Sequence, residues 1–131
     1  MRSRILFISG RSEDARELTR MLLDLPVALH HAKSVRHARK MLTQYSYSVI
    51  LTDSSLPDGT WLDVLRLGRD DSSDLRVIVT DPQADARFWA EALNLGAYDL
   101  LAQPFQGAEV RRILSNACSR PTARESVLAA V

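Results

Sequence analysis

The 131-residue chain predicts a single α/β domain built on a parallel sheet, and three observations carry that reading. Five short apolar runs recur along it: Ile5–Ile8, Val27–Leu29, Val49–Leu51, Val77–Val79 and Leu100–Ala102. Between them lie stretches whose apolar residues repeat at helical spacing, so strand and helix alternate as in successive βαβ units. The length is that of one domain, enough to bury about two-thirds of the surface the unfolded chain would expose.

Each helix has its own start and stop signals. In the first, Ser12 is a candidate N-cap and Glu13 and Asp14 suit the positive end of the dipole. Ala15, Leu18, Met21, Leu22 and Leu25 form one stripe, and Pro26 ends the helix. The second starts at Ser34 and buries Val35, Ala38, Met41 and Leu42, leaving Arg36, His37, Arg39 and Lys40 to solvent. The third follows Gly59 with Trp61, Val64, Leu65 and Leu67, then gives way to a polar loop from Gly68 to Asp74. The fourth, from about Asp85, puts Phe88, Ala92 and Leu95 on one face, with Gly96 placed to cap its C-terminus. The fifth runs from about Ala108 to Cys118 with Val110, Ile113, Leu114 and Ala117 on one stripe. These elements put the domain at residues 1–119 and leave 120–131, with Pro121, as a tail or the start of a linker.

Composition narrows the function classes. With 46% hydrophobic and 25% charged residues the chain reads as an ordinary globular protein, and its apolar runs are strand-sized, too short to span a bilayer. A net charge of +1 gives no global reason to expect direct nucleic-acid binding. The run Lys33, Arg36, Arg39 and Lys40 lacks interleaved aromatics and reads as a solvated helix face. The single cysteine, Cys118, has no internal disulfide partner, and Ile5–Ile8 is too short for a signal-peptide core, so the expected location is cytoplasmic. His30 and His31 are adjacent on a strand and point to opposite faces, which argues against a metal site. No Gly-rich dinucleotide fingerprint follows the first strand.

The chemistry-bearing residue is Asp53, where the strand Val49-Ile50-Leu51 runs out and the turn Ser54-Ser55-Leu56-Pro57-Asp58-Gly59 begins. In a parallel sheet, ligands collect at such strand ends. Two further segments stand at matching separations: Val77-Ile78-Val79-Thr80, and Gly96-Ala97 followed by Asp99-Leu100-Leu101 and Gln103-Pro104-Phe105. Together these motifs resemble the receiver domains of two-component response regulators over roughly Arg4 to Cys118. The resemblance implies a flavodoxin-like three-layer (β/α)5 sandwich with a five-stranded parallel sheet in the order 2-1-3-4-5. It makes Asp53 the phospho-acceptor position and Thr80 the switch position, and it implies a cis peptide bond before Pro104.

By the same resemblance, Mg²⁺ would be held by an acidic pair after strand one, by the acceptor aspartate and by the carbonyl of Ser55. Here the acidic-pair positions are Ser9 and Gly10, followed by Arg11, and neither of the two carries charge. The family's lysine is Gln103, and the usually small residue after the switch position is Asp81, which adds negative charge beside the pocket. Leu100 stands where the family has an aromatic switch residue. A phosphoryl donor approaching a carboxylate without a cation meets uncompensated repulsion, so no bound metal or other cofactor is expected.

The pocket is therefore expected to be degenerate, with Asp53 a retained anchor and Arg11 either folded toward it as a stand-in cation or facing solvent. The chain reads as an atypical receiver: a regulatory protein-interaction module of phosphorelay signalling, not an enzyme, with weak or no aspartyl phosphorylation. One alternative is a Mg²⁺-dependent receiver phosphorylated on Asp53 by a histidine kinase, and another is a small-molecule-binding flavodoxin-like sensor. Partners implied by the resemblance are an output domain, a histidine kinase, another receiver, or a second copy of this chain. They would meet a surface on the fourth and fifth helices and the strand between them, comprising Arg87, Trp89, Glu91, Tyr98, Glu109, Arg111 and Arg112. Trp89 and Tyr98 are expected either to form an exposed apolar patch there or to pack against a neighbouring helix.

Overall fold

The computed structural model describes residues 2–71, 75–83 and 85–119. Its elements follow the alternation of the sequence: β1 (Ser3–Ile8), α1 (Ser12–Met21), β2 (Val27–Ala32), α2 (Val35–Gln44), β3 (Val49–Asp53), β4 (Ser55–Leu56), β5 (Gly59–Thr60), α3 (Trp61–Asp71), β6 (Arg76–Asp81), α4 (Ala86–Leu95), β7 (Asp99–Ala102) and α5 (Gly107–Ser119). The main sheet is parallel, in the order β2-β1-β3-β6-β7. Its numbering departs from the expected 2-1-3-4-5 because β4 and β5 form a separate antiparallel hairpin between β3 and α3. That hairpin is built on two-residue strands, too short to show as a periodic run.

Pleating divides each strand between two cores. Ile5, Phe7, Val49, Leu51, Ile78 and Leu101 face α1 and α5, packing on Leu18, Val110, Ile113, Leu114 and Ala117. Leu6, Ile8, Ile50, Val77, Val79 and Leu100 face the other way, onto Val35, Ala38, Trp61, Val64, Leu65 and Ala92 of α2, α3 and α4. Strands buried on both faces read as continuous apolar runs, which is why the central strands stood out, whereas the edge strand β2 is only half-buried.

Four expectations are corrected. Ser12 is not a cap: it is the first helical residue, and Arg11 holds the N-cap position without a side-chain bond. Leu25 lies outside α1, which ends at Met21, and a turn precedes Pro26. Gly68 to Asp71, expected as the start of a loop, are helical, because α3 continues to Asp71 with Gly68 buried against β6, and the remainder of that expected loop at 72–74 lies outside the described residues. A Cβ at Gly68 would lie 3.0 Å from the Val77 side chain, so this glycine serves close packing. Leu95 is 42% exposed, since α4 buries only Ala92 fully and Phe88 in part. The caps at Ser34 and Asp85 form as expected, accepting from the backbone N–H of His37 and Phe88. Gly96 ends α4 at φ 116°, a left-handed conformation that disfavours any side chain. The tail at 120–131 lies outside the described residues.

Candidate functional site

Asp53 is the last residue of β3 and pairs in register with Thr80 of β6, so the two side chains emerge side by side at the C-terminal edge of the sheet. β1 brings Ser9 to the same edge. Ser9 is fully buried, and its hydroxyl donates to Asp53 Oδ2 at 2.6 Å while accepting from the Arg11 backbone N–H at 3.0 Å. The carbonyl of Ser9 meets Nε2 of His31 at 2.8 Å, and the His31 ring stacks on Phe7. The other carboxylate oxygen, Asp53 Oδ1, and the hydroxyl of Thr80 are buried without a hydrogen-bond partner.

These surroundings set the acidity of Asp53. Burial pushes its pKa from 3.8 up to about 6. The Ser9 hydrogen bond opposes that shift, nearby Asp14 adds to it, and Arg11 and His31 counter it. Arg11 does not fold onto Asp53 as a stand-in cation. Its side chain is 71% exposed and pairs with Asp14 at 3.6 Å.

Asp81 also takes a place the sequence did not foresee. Both of its carboxylate oxygens are engaged, one by the Ser54 hydroxyl and the other by the Gln83 backbone N–H at 2.7 Å. Gln103 precedes a cis bond to Pro104, as expected, and lines a shallow cavity of about 320 Å³ with Arg11, Asp14, Glu17, Pro82, Pro104 and Phe105. Gly10 and Ser55 are exposed. A Cβ on Gly10 would lie 3.4 Å from the Pro57 ring, an ordinary contact.

The structure thus gathers Ser9, Asp53 and Thr80 at one strand edge, brings Asp14 of α1 near enough to act on Asp53 by charge, and places Asp14 and Gln103 on one cavity, while Asp81 turns to Ser54. Sequence reasoning missed three participants. Asp14 had a sufficient explanation as a helix-start residue, Ser54 carried no signal beyond its place after Asp53, and His31 looked merely structural.

Of the surface residues singled out in the sequence, Arg87, Trp89, Glu91, Arg111 and Arg112 are exposed and Glu109 is half-buried. Tyr98 does not join Trp89 in a patch. It packs against the α1/α5 core, with the Arg76 guanidinium over its ring at 5.5 Å.

The family model of the response regulator receiver domain matches residues 5–115. This chain belongs to that family. Receiver domains are regulatory modules of two-component signalling rather than conventional enzymes. The chain is 28% identical over 105 residues to the response regulator protein PilR of Pseudomonas aeruginosa, covering 79% of the chain and 24% of PilR. It is 34% identical over 73 residues to the transcriptional regulatory protein CitB of Klebsiella pneumoniae, covering 56% of the chain and 31% of CitB. The receiver thus spans about a quarter to a third of these curated relatives. Among solved structures, the signal receiver domain of a putative LuxO repressor protein from Vibrio parahaemolyticus superposes with a TM-score of 0.86 at 21% identity, covering 98% of both chains. The beryllofluoride-activated NtrC4 receiver domain dimer gives 0.80 at 24% identity, covering 87% of this chain and 94% of that one. At these identities the structural likeness establishes the flavodoxin-like fold. No described helix is long and apolar enough to cross a membrane.

Proposed function

We propose that this receiver works as a regulatory protein-interaction module in which Asp53 is phosphorylated weakly or not at all. The observation that carries the reading is the Ser9 hydroxyl, which donates to Asp53 from a position where the family resemblance expects an acidic metal ligand. Mg²⁺ takes oxygen donors in near-ideal octahedral geometry and is bound through carboxylates. The edge offers it Asp53, the Ser55 carbonyl that the resemblance assigns, a neutral Ser9, a Gly10 without a side chain, and an Asp14 already paired with Arg11. Among the described residues no three His, Cys, Asp or Glu side chains cluster to hold a metal. This donor set does not fit the ion.

Charge supports the same conclusion. A phosphoryl group on Asp53 would sit beside Asp14 and meet the neutral Gln103 in place of a lysine. Output then depends on the outer faces of α4, β7 and α5, where Arg87, Trp89, Glu91, Arg111 and Arg112 face solvent. An output domain, a histidine kinase, another receiver or a second copy of this chain would dock there.

The test is incubation with acetyl phosphate and Mg²⁺ followed by intact-mass measurement. The expected result is no stoichiometric adduct. A full phosphoryl adduct that disappears in Asp53→Asn would overturn the reading and establish the phospho-accepting alternative.

A further inference from the structure

We propose that Asp81 is a latch: it ties the segment after Thr80 to the segment after Asp53 and holds the switch region in one arrangement without phosphorylation. The proposal rests on the reading of the site given above, because a receiver that is not phosphorylated needs another determinant of its state.

The latch is made of bonds on both sides of the β3/β6 edge. The Ser54 hydroxyl donates to Asp81, and the Ser54 N–H donates to the Thr80 carbonyl at 3.0 Å. The Ser54 carbonyl accepts from Trp61 at the start of α3 at 3.1 Å. Ser54 thus spends both backbone groups and its side chain joining β6 to α3. On the far side, Asp81 Oδ1 accepts from Gln83, folding the segment back over Pro82, which has no N–H of its own to offer. Asp85 then caps α4 by accepting from Phe88 at 2.9 Å.

The hairpin carrying Ser55 to Thr60 is anchored independently. Asp58 accepts from Val35 at 2.8 Å and Arg36 at 3.0 Å, and Asp63 accepts from Thr60 at 2.9 Å. A displacement of the Thr80 segment therefore breaks the Asp81–Ser54 bond unless Ser54 moves with it, and the bond from Trp61 to Ser54 and those of the following hairpin oppose that. The Thr80 hydroxyl, buried without a partner beside Asp53, has a polar reason to move, and the latch opposes that movement.

Amide hydrogen exchange tests this on the full chain, never exposed to a phosphoryl donor, comparing parent, Asp81→Ala, Asp81→Asn and Ser54→Ala. Asp81→Ala should speed exchange at Gln83 and across 80–88 by about tenfold or more, as expected for losing hydrogen bonds to a charged acceptor. Ser54→Ala should speed exchange at 80–83, and a Ser54→Ala/Asp81→Ala double variant should exceed Asp81→Ala by little, since the Ser54–Asp81 contact is already lost in either single variant. Asp81→Asn, whose single amide oxygen can accept from only one of the two donors and carries no charge, should lie between the parent and Asp81→Ala. Unchanged exchange over 80–88 in Asp81→Ala, or over 80–83 in Ser54→Ala, overturns the latch. If Asp81→Ala does not fold, Ser54→Ala decides alone. The mass experiment above judges phosphorylation separately: an adduct on the parent removes the functional reading, whereas only exchange removes the latch.

Discussion

Asp53 and Asp58 lie in one short stretch of chain and have opposite fates. Asp53 is drawn to a strand edge between apolar layers, receives one hydroxyl donor, leaves an oxygen unpartnered, and has its pKa pushed up to about 6 by burial. Asp58 sits at the surface, receives the Val35 and Arg36 backbone N–H groups at the start of α2, and has its pKa lowered by those bonds. The difference shows that a carboxylate's role is set by the donors its surroundings supply. Asp58 has found partners and become structural. Asp53 is held short of them, the condition of a group kept for a ligand or left behind by one.

The largest test of that contrast restores what Asp53 lacks. The triple variant Ser9→Asp, Gly10→Asp, Gln103→Lys should bind Mg²⁺ with a dissociation constant on the order of 1 mM or tighter, where the parent shows no saturation. Isothermal titration measures it. The Gly10 position has room for the new Cβ, so a triple variant that folds yet gains nothing would mean the pocket is wrongly assigned.

Asp53→Asn probes the cost of the unmet carboxylate. Because burial raises the folded pKa from 3.8 to about 6, the native state holds the proton more tightly than the unfolded chain. The charge penalty is full above pH 6, eases as pH falls through 6, and is gone below about 4. The variant should therefore be more stable than the parent by about 1–2 kcal/mol at pH 8, after allowing for the partial exposure of the group. The advantage should shrink toward pH 4, read by urea denaturation. An equal advantage at both pH values would mean the carboxylate is not the source.

Asp58→Ala should have the smallest effect and the opposite sign. A lowered folded pKa gives stability that is present above the ordinary carboxylate range and is lost as pH falls through the lowered value. Calorimetry should show a reduced midpoint at pH 7, with a difference from the parent that narrows in strong acid. A midpoint unchanged at pH 7 would remove Asp58 as an anchor of the hairpin.

The legibility of the chain follows the same physics. Strands buried on both faces advertise themselves as apolar runs, so the sheet and its helices could be read directly. Ser34, Asp85 and Gly96 could be read because caps act within one turn of chain. Helix ends that depend on distant packing could not: Gly68 looks like a break until Val77 is placed against it. The composition of the pocket was visible at Ser9, Gly10 and Gln103, but its wiring was not. Whether Arg11 meets Asp53 or Asp14, and whether Asp81 faces the pocket or Ser54, depends on side chains delivered by different strands.

The sequence by itself determined the alternation of strands and helices and the absence of the charges that the family resemblance calls for around Asp53, because periodicity and residue chemistry are local properties. Only the tertiary structure decided that Ser9 would hold Asp53, that Thr80 would stand beside it without a partner, and that Asp81 would close on Ser54. Those contacts join residues 27 to 44 positions apart, so they exist only once the parallel strands set their register.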